Sequence, residues 1–278
     1  MSRTILSFAC LFPLLASTAT AQEIRIYTRV YDTSPSSADS AGKQRIIARS
    51  LALFHGGKVD DYIDTVGGVT IFEPAERRFT ILNESRMLVT TVSFDEIRNL
   101  LKIADNETAN YIAELQDSGD SKSVQAAEAL QFQRNPRFQV DYRADEMLLL
   151  LESPTLSYRV KCAQPPSPEV VAPCIRYADW MARLNFVLHP GAFLPEARTM
   201  VDQELLNRGL IPIEVERRTE FDPPIQLLAQ HRIHWNLDSR DRSSIHHWKT
   251  LLASDEITKL TFPEYQRTVA GQPTAGKR

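Results

Sequence analysis

The run Leu51-Ala52-Leu53-Phe54-His55-Gly56-Gly57-Lys58-Val59-Asp60-Asp61-Tyr62-Ile63 decides the fold. Leu51 and Leu53 alternate toward His55, and Val59 to Ile63 comes back. Gly56-Gly57 between them is a hairpin turn that tolerates positive φ. The rhythm continues downstream. Gly67-Gly68 turns and residues 69–72 go out; Pro74-Ala75-Glu76 turns and residues 79–82 return. Asn83-Glu84-Ser85 turns again before residues 87–92. Short strands at near-even spacing, each closed by turn residues, predict an antiparallel meander.

Upstream, residues 22–32 alternate, with Ile24, Ile26 and Val30 on one side and Arg25, Tyr27, Arg29 and Tyr31 on the other, which reads as a half-buried strand. Residues 34–43 are Ser/Ala/Pro-rich and read as a loop. Downstream, Ser93 is placed to cap a helix, with Glu96 as the second half of a capping box and Ile97, Leu100, Leu101 and Ala104 as its apolar stripe. More helix is expected over 108–115 and 124–132, separated by Asp117-Ser118-Gly119-Asp120.

Strands return at 138–142, 147–151 and 156–160; the middle one has no polar side, so both its faces should be covered. Residues 175–188 carry Tyr177, Met181, Leu184 and Leu188 on one helical stripe. Pro195 opens another helix, which Gly209 closes. Strands at 211–219 and 225–237 precede a last helix over 239–252, capped by Asp238. No internal repeat is apparent. The fold class that follows is α+β: one domain over 22–270, with a curled, mostly antiparallel sheet, open and half-barrel-like, and helices packed on one face.

Residues 1–21 hold one early cation, Arg3, an apolar run over 5–16, and small residues ending Ala19-Thr20-Ala21. That order predicts a secretory signal peptide cut after Ala21, and so an exported (periplasmic or extracellular) protein. Its apolar core is too short for a bilayer span of roughly 20 residues. Removing the leader leaves 257 residues and moves the net charge from -3 to -4. A mildly acidic chain offers no electrostatic footprint for nucleic acid, and no later apolar run approaches a membrane span. Residues 271–278 read as a disordered tail.

Cys162 and Cys174 remain once Cys10 leaves with the leader. An even pair in an oxidising compartment predicts a disulfide across the proline-rich loop between them, with two free buried thiols as the alternative.

No catalytic, cofactor or metal motif stands out. His231 and His234, three apart on a strand, point to opposite faces; His231 on the apolar face reads as a hydrogen-bonded core residue. Gly119-Asp120-Ser121 is similar to one lipase nucleophile block but lacks a leading strand, and reads as a helix break capped by Ser121. Asp60, Asp61 and Asp64 crowd one strand and read as a solvated face. Glu214, Glu216, Arg218 and Glu220 read as a wet outer face that pairs across a hairpin with Arg232 and His234.

The block from His55 to Asn83 resembles an uncharacterised family of exported proteins of planctomycete-type bacteria. More distantly, residues 45–104 are similar in rhythm to the periplasmic lipoprotein-carrier (LolA/LolB-like) architecture. That resemblance implies an open, curled sheet with helices filling its concave side, and it brings no catalytic residues. The expected function is a non-enzymatic exported binding protein for an apolar or lipid-like ligand. The alternatives are a structural or interaction protein of the cell envelope and a hydrolase of unrecognised type. The partners implied are an apolar small molecule or an envelope protein, with no nucleic acid and no integral membrane segment.

Overall fold

The computed structural model describes residues 23–35, 44–189, 191–220 and 224–270. The predicted signal peptide, the predicted tail, most of the 34–43 loop and part of the 221–224 turn lie outside them.

The chain runs β1 (Ile24–Asp32), β2 (Arg45–His55), β3 (Lys58–Ile63), β4 (Gly68–Glu73), β5 (Arg78–Asn83) and β6 (Leu88–Ser93). Two helices follow, α1 (Phe94–Ser118) and α2 (Ser121–Arg134), then β7 (Gln139–Arg143), β8 (Leu148–Glu152) and β9 (Leu156–Ala163). Next come α3 (Val171–Leu188), α4 (Glu196–Arg208), β10 (Ile211–Thr219), β11 (Ile225–His234), α5 (Ser239–Leu252), β12 (Thr258–Lys259) and α6 (Phe262–Ala270).

All twelve strands form one open sheet in the order β12-β6-β5-β4-β3-β2-β1-β11-β10-β9-β8-β7. The pairs are antiparallel except for the short β12 beside β6. The sheet is two meanders joined along β1 and β11, from Arg25 opposite His234 to Asp32 opposite Leu227. The expected antiparallel sheet with helices packed against it is therefore present.

Local chemistry explains the turns. Gly56 and Gly57 have φ of 54° and 77°, the twist a two-residue hairpin needs. The chain reads as free of repeats, yet one turn is built twice. After β5 and after β7, three residues of 3-10 helix lead into a methionine at positive φ, Met87 at 50° and Met147 at 48°. In each case the methionine N–H closes the turn on a carbonyl three residues back, Glu84 at 3.2 Å and Ala144 at 3.1 Å.

Helix ends follow their caps as well. Ser93 Oγ accepts from Glu96 N at 3.1 Å, and α1 then runs unbroken through both predicted helical segments to Gly119. Asp238 and Asp241 form a reciprocal capping box at the start of α5. The helix α6 was not legible as a separate element; Phe262 and Tyr265 bury its apolar side.

Alternation sorts the strand residues onto two faces. On one face Ile24, Ala52, Phe54, Val59, Phe72 and Phe79 pack with Phe94 of α1, Trp180 and Leu184 of α3, and Phe262 of α6. Along the same face, Leu149, Leu151 and Val160 pack with Ile175, Val201 and Leu205 of α3 and α4. On the opposite face Leu53, Val69, Ile71 and Leu82 lie under Trp248 of α5. Arg25 to Asp241 at 3.1 Å and Arg242 to Glu23 at 2.7 Å tie α5 to that side of the sheet. Leu148 to Leu151 are all buried, as their unbroken apolar run predicts.

Candidate ligand-binding site

β3 lies inside the sheet with helices over both of its faces, and this changes the reading of its carboxylates. Asp60 and Asp61 are 3% and 4% exposed, so the predicted solvated face is wrong for both; Asp64, at the strand's end, is exposed and 3.5 Å from Arg49. Asp60 points toward the α5 side, where its Oδ2 is 2.9 Å from His55 Nε2. Asp61 points toward α3. Tyr177 Oη donates to its Oδ2 at 2.7 Å, and the Ser50 hydroxyl also donates to it. Its Oδ1 has no hydrogen-bond partner. Burial pushes the Asp61 carboxyl up to about 6, against the lowering effect of the two hydroxyls. Burial, and then the nearby Asp61 charge, hold the Tyr177 phenol well above its usual value.

His231 is the hydrogen-bonded core residue its position predicts, with Nδ1 2.9 Å from Thr28 Oγ1. Burial lowers it to about 4, and the positive charge of Arg198 adds to that. Arg198 of α4 is 2.9 Å from Asp202, which is itself 1% exposed.

Two cavities open between α3 and this face of the sheet. The smaller, about 100 Å³, is lined by Ile26, Ala52, Ile175 and Ile233, with Thr28, Ser50, Tyr177, Arg198 and His231 as its polar groups. The larger, about 260 Å³, lies one alternation further along the same strands, where Ile24 and Phe54 replace Ile26 and Ala52. Val59, Phe72 and Val170 complete its apolar walls, and His55, Lys58 and Arg176 stand at its rim. Phe54 lines the larger cavity and Tyr177 the smaller, and their rings meet edge to face at 5.3 Å.

The other predicted positions serve the fold. Cys162 and Cys174 are free and buried, so the expected disulfide is not formed. The reason is placement: Cys162 packs from β9 with Val160 and Leu205, whereas Cys174 packs from α3 with Phe54 and Leu184. Burial raises the two thiols to about 11 and about 12. In the Gly119-Asp120-Ser121 block, Asp120 rather than Ser121 is the cap, accepting from Lys122 N and Ser123 N at 3.0 Å each.

The wet face of β10 is present, but with different partners. Register sets Glu214 opposite Gln230 and Glu216 opposite Leu228, so Glu214 bonds Gln230 at 3.2 Å and Lys161 at 2.7 Å instead of Arg232 or His234. Among the described residues no group of three or more His, Cys, Asp and Glu could hold a metal ion, and no helix is long and apolar enough to cross a membrane.

Sequence reasoning missed the Asp61–Tyr177–Ser50 cluster. The signal was Tyr177 on an otherwise apolar helical stripe facing a strand that carries an aspartate among apolar residues. No protein-family model matches this chain, and no curated protein matches it.

Proposed function

We propose that this chain is an exported binding protein for a small apolar or lipid-like ligand that enters between α3 and the sheet. The observation that carries the reading is the pair of adjacent, mainly apolar cavities beneath one helix. An empty apolar cavity of about 150 Å³ is already enough to take up benzene in another protein. The larger cavity here, about 260 Å³, has room for a short alkyl chain. Sites of this kind combine apolar walls with a few placed polar groups, as Thr28, Ser50 and Tyr177 do here. Export is supported by the charged, apolar, small-residue order of residues 1–21.

Native mass spectrometry of protein purified from an exporting host, followed by denaturing mass analysis, tests both parts. A chain beginning at Gln22 that loses extra mass on denaturation is the expected result. A bare chain whose melting temperature does not move with added 1-octanol would overturn the binding reading.

A further inference from the structure

We infer that the larger cavity takes an amphipathic anion, with the apolar tail against Ile24, Phe54 and Phe72 and the acidic head held at the rim by Lys58 and Arg176. This deepens the binding reading above and rests on it.

The floor and the rim of the cavity differ in chemistry. Its walls are apolar, so a charged head taken inside would lose its hydration without a partner. At the mouth, two cations come from different elements: Lys58 opens β3 and Arg176 projects from α3. Gly56 and Gly57, both at positive φ, fix the hairpin that presents Lys58.

Among the described residues neither Lys58 nor Arg176 makes an ion pair, and the strand acids near Lys58, which lie on the α5 face of the sheet, are engaged by other groups. Glu73 is bound to Arg78 at 3.0 Å and Thr80 at 2.8 Å, and Asp60 to His55 at 2.9 Å. Two unneutralised cations beside an apolar opening are complementary to an acid group on an alkyl chain. A head at the rim keeps part of its water while gaining charge-assisted hydrogen bonds.

Calorimetric titration of the purified protein with sodium octanoate, 1-octanol and octylamine separates the head from the tail. Octanoate should bind about tenfold more tightly than octanol, with octylamine weakest. A Lys58→Gln/Arg176→Gln double variant should bring octanoate affinity down to that of octanol and leave octanol unchanged. Both side chains sit at the rim rather than in the core, so the octanol titration also reports that the variant is folded. Equal affinities for octanoate and octanol in the wild type would overturn the anion inference and leave the binding reading standing. So would a double variant that keeps the octanoate preference. If none of the three binds, both readings fall.

Discussion

Asp60 and Asp61 are chain neighbours on one strand, equally buried and each with one oxygen unpartnered, but their bonded oxygens meet different groups. Asp60 faces the α5 side and meets an ionisable partner, His55, at 2.9 Å. Asp61 faces α3 and meets only hydroxyls, those of Tyr177 and Ser50, beside an apolar cavity. A buried carboxyl that meets only neutral donors in apolar surroundings is driven toward its protonated form. The face toward α3 therefore carries a carboxyl that burial raises to about 6, next to the space proposed for a ligand.

The largest effect should come from breaking the first pair. His55→Ala leaves the buried Asp60 carboxyl without its hydrogen-bond partner, and an unsatisfied buried group typically costs about 1–3 kcal/mol, more when it is charged. Urea unfolding at pH 7 should show a loss at or above the upper end of that range, because Asp60 is only 3% exposed.

The second test concerns sign. The Asp61 carboxyl is raised from 3.8 to about 6, so its contribution to stability is complete below 3.8 and lost as pH rises through about 6. His231 is lowered from 6.5 to about 4, so its contribution is complete above 6.5 and lost as pH falls toward about 4. Between these limits the two slopes oppose each other. Asp61→Asn removes one of them. It should stabilise the protein by about 3 kcal/mol at pH 8, with no gain below pH 4. Its stability should then decline steadily on acidification from 6.5 to 4. Urea melts at stepped pH would read this directly, and a variant with the wild-type profile would show that Asp61 is not the titrating group.

The smallest effect belongs to the open, polar part of the sheet. Lys161 and Glu214 form a 2.7 Å pair in which the lysine side chain is half exposed. Lys161→Ala should cost less than about 1 kcal/mol, and less still in high salt. A larger loss would mean that this face is more enclosed than the α5-covered half suggests.

These contrasts also show what could be read in advance. The turns at Gly56-Gly57 and Gly67-Gly68, the Ser93 cap and the Tyr177-Met181-Leu184-Leu188 stripe follow from residues within a few positions of one another. They were legible for that reason. The aspartates of β3 were misread because a carboxylate's surroundings depend on what covers its strand. The coverings come from α3 and α5, more than a hundred residues downstream. The cysteines were misjudged on similar grounds. Spacing allows a bridge across the 162–174 loop, but strand register and helix placement send the two thiols into different parts of the core.

The sequence by itself determined the meander, the positions of most helices and the alternation that assigns each strand residue to a face, because period and turn chemistry are local. Tertiary structure decided the β1–β11 seam that joins the two meanders, across roughly 200 intervening residues. It also decided the second cover by α5 and the cavities beneath α3. Such features arise where surfaces distant in sequence meet, and burial and pairing there depend on the partner that arrives rather than on the residue that waits.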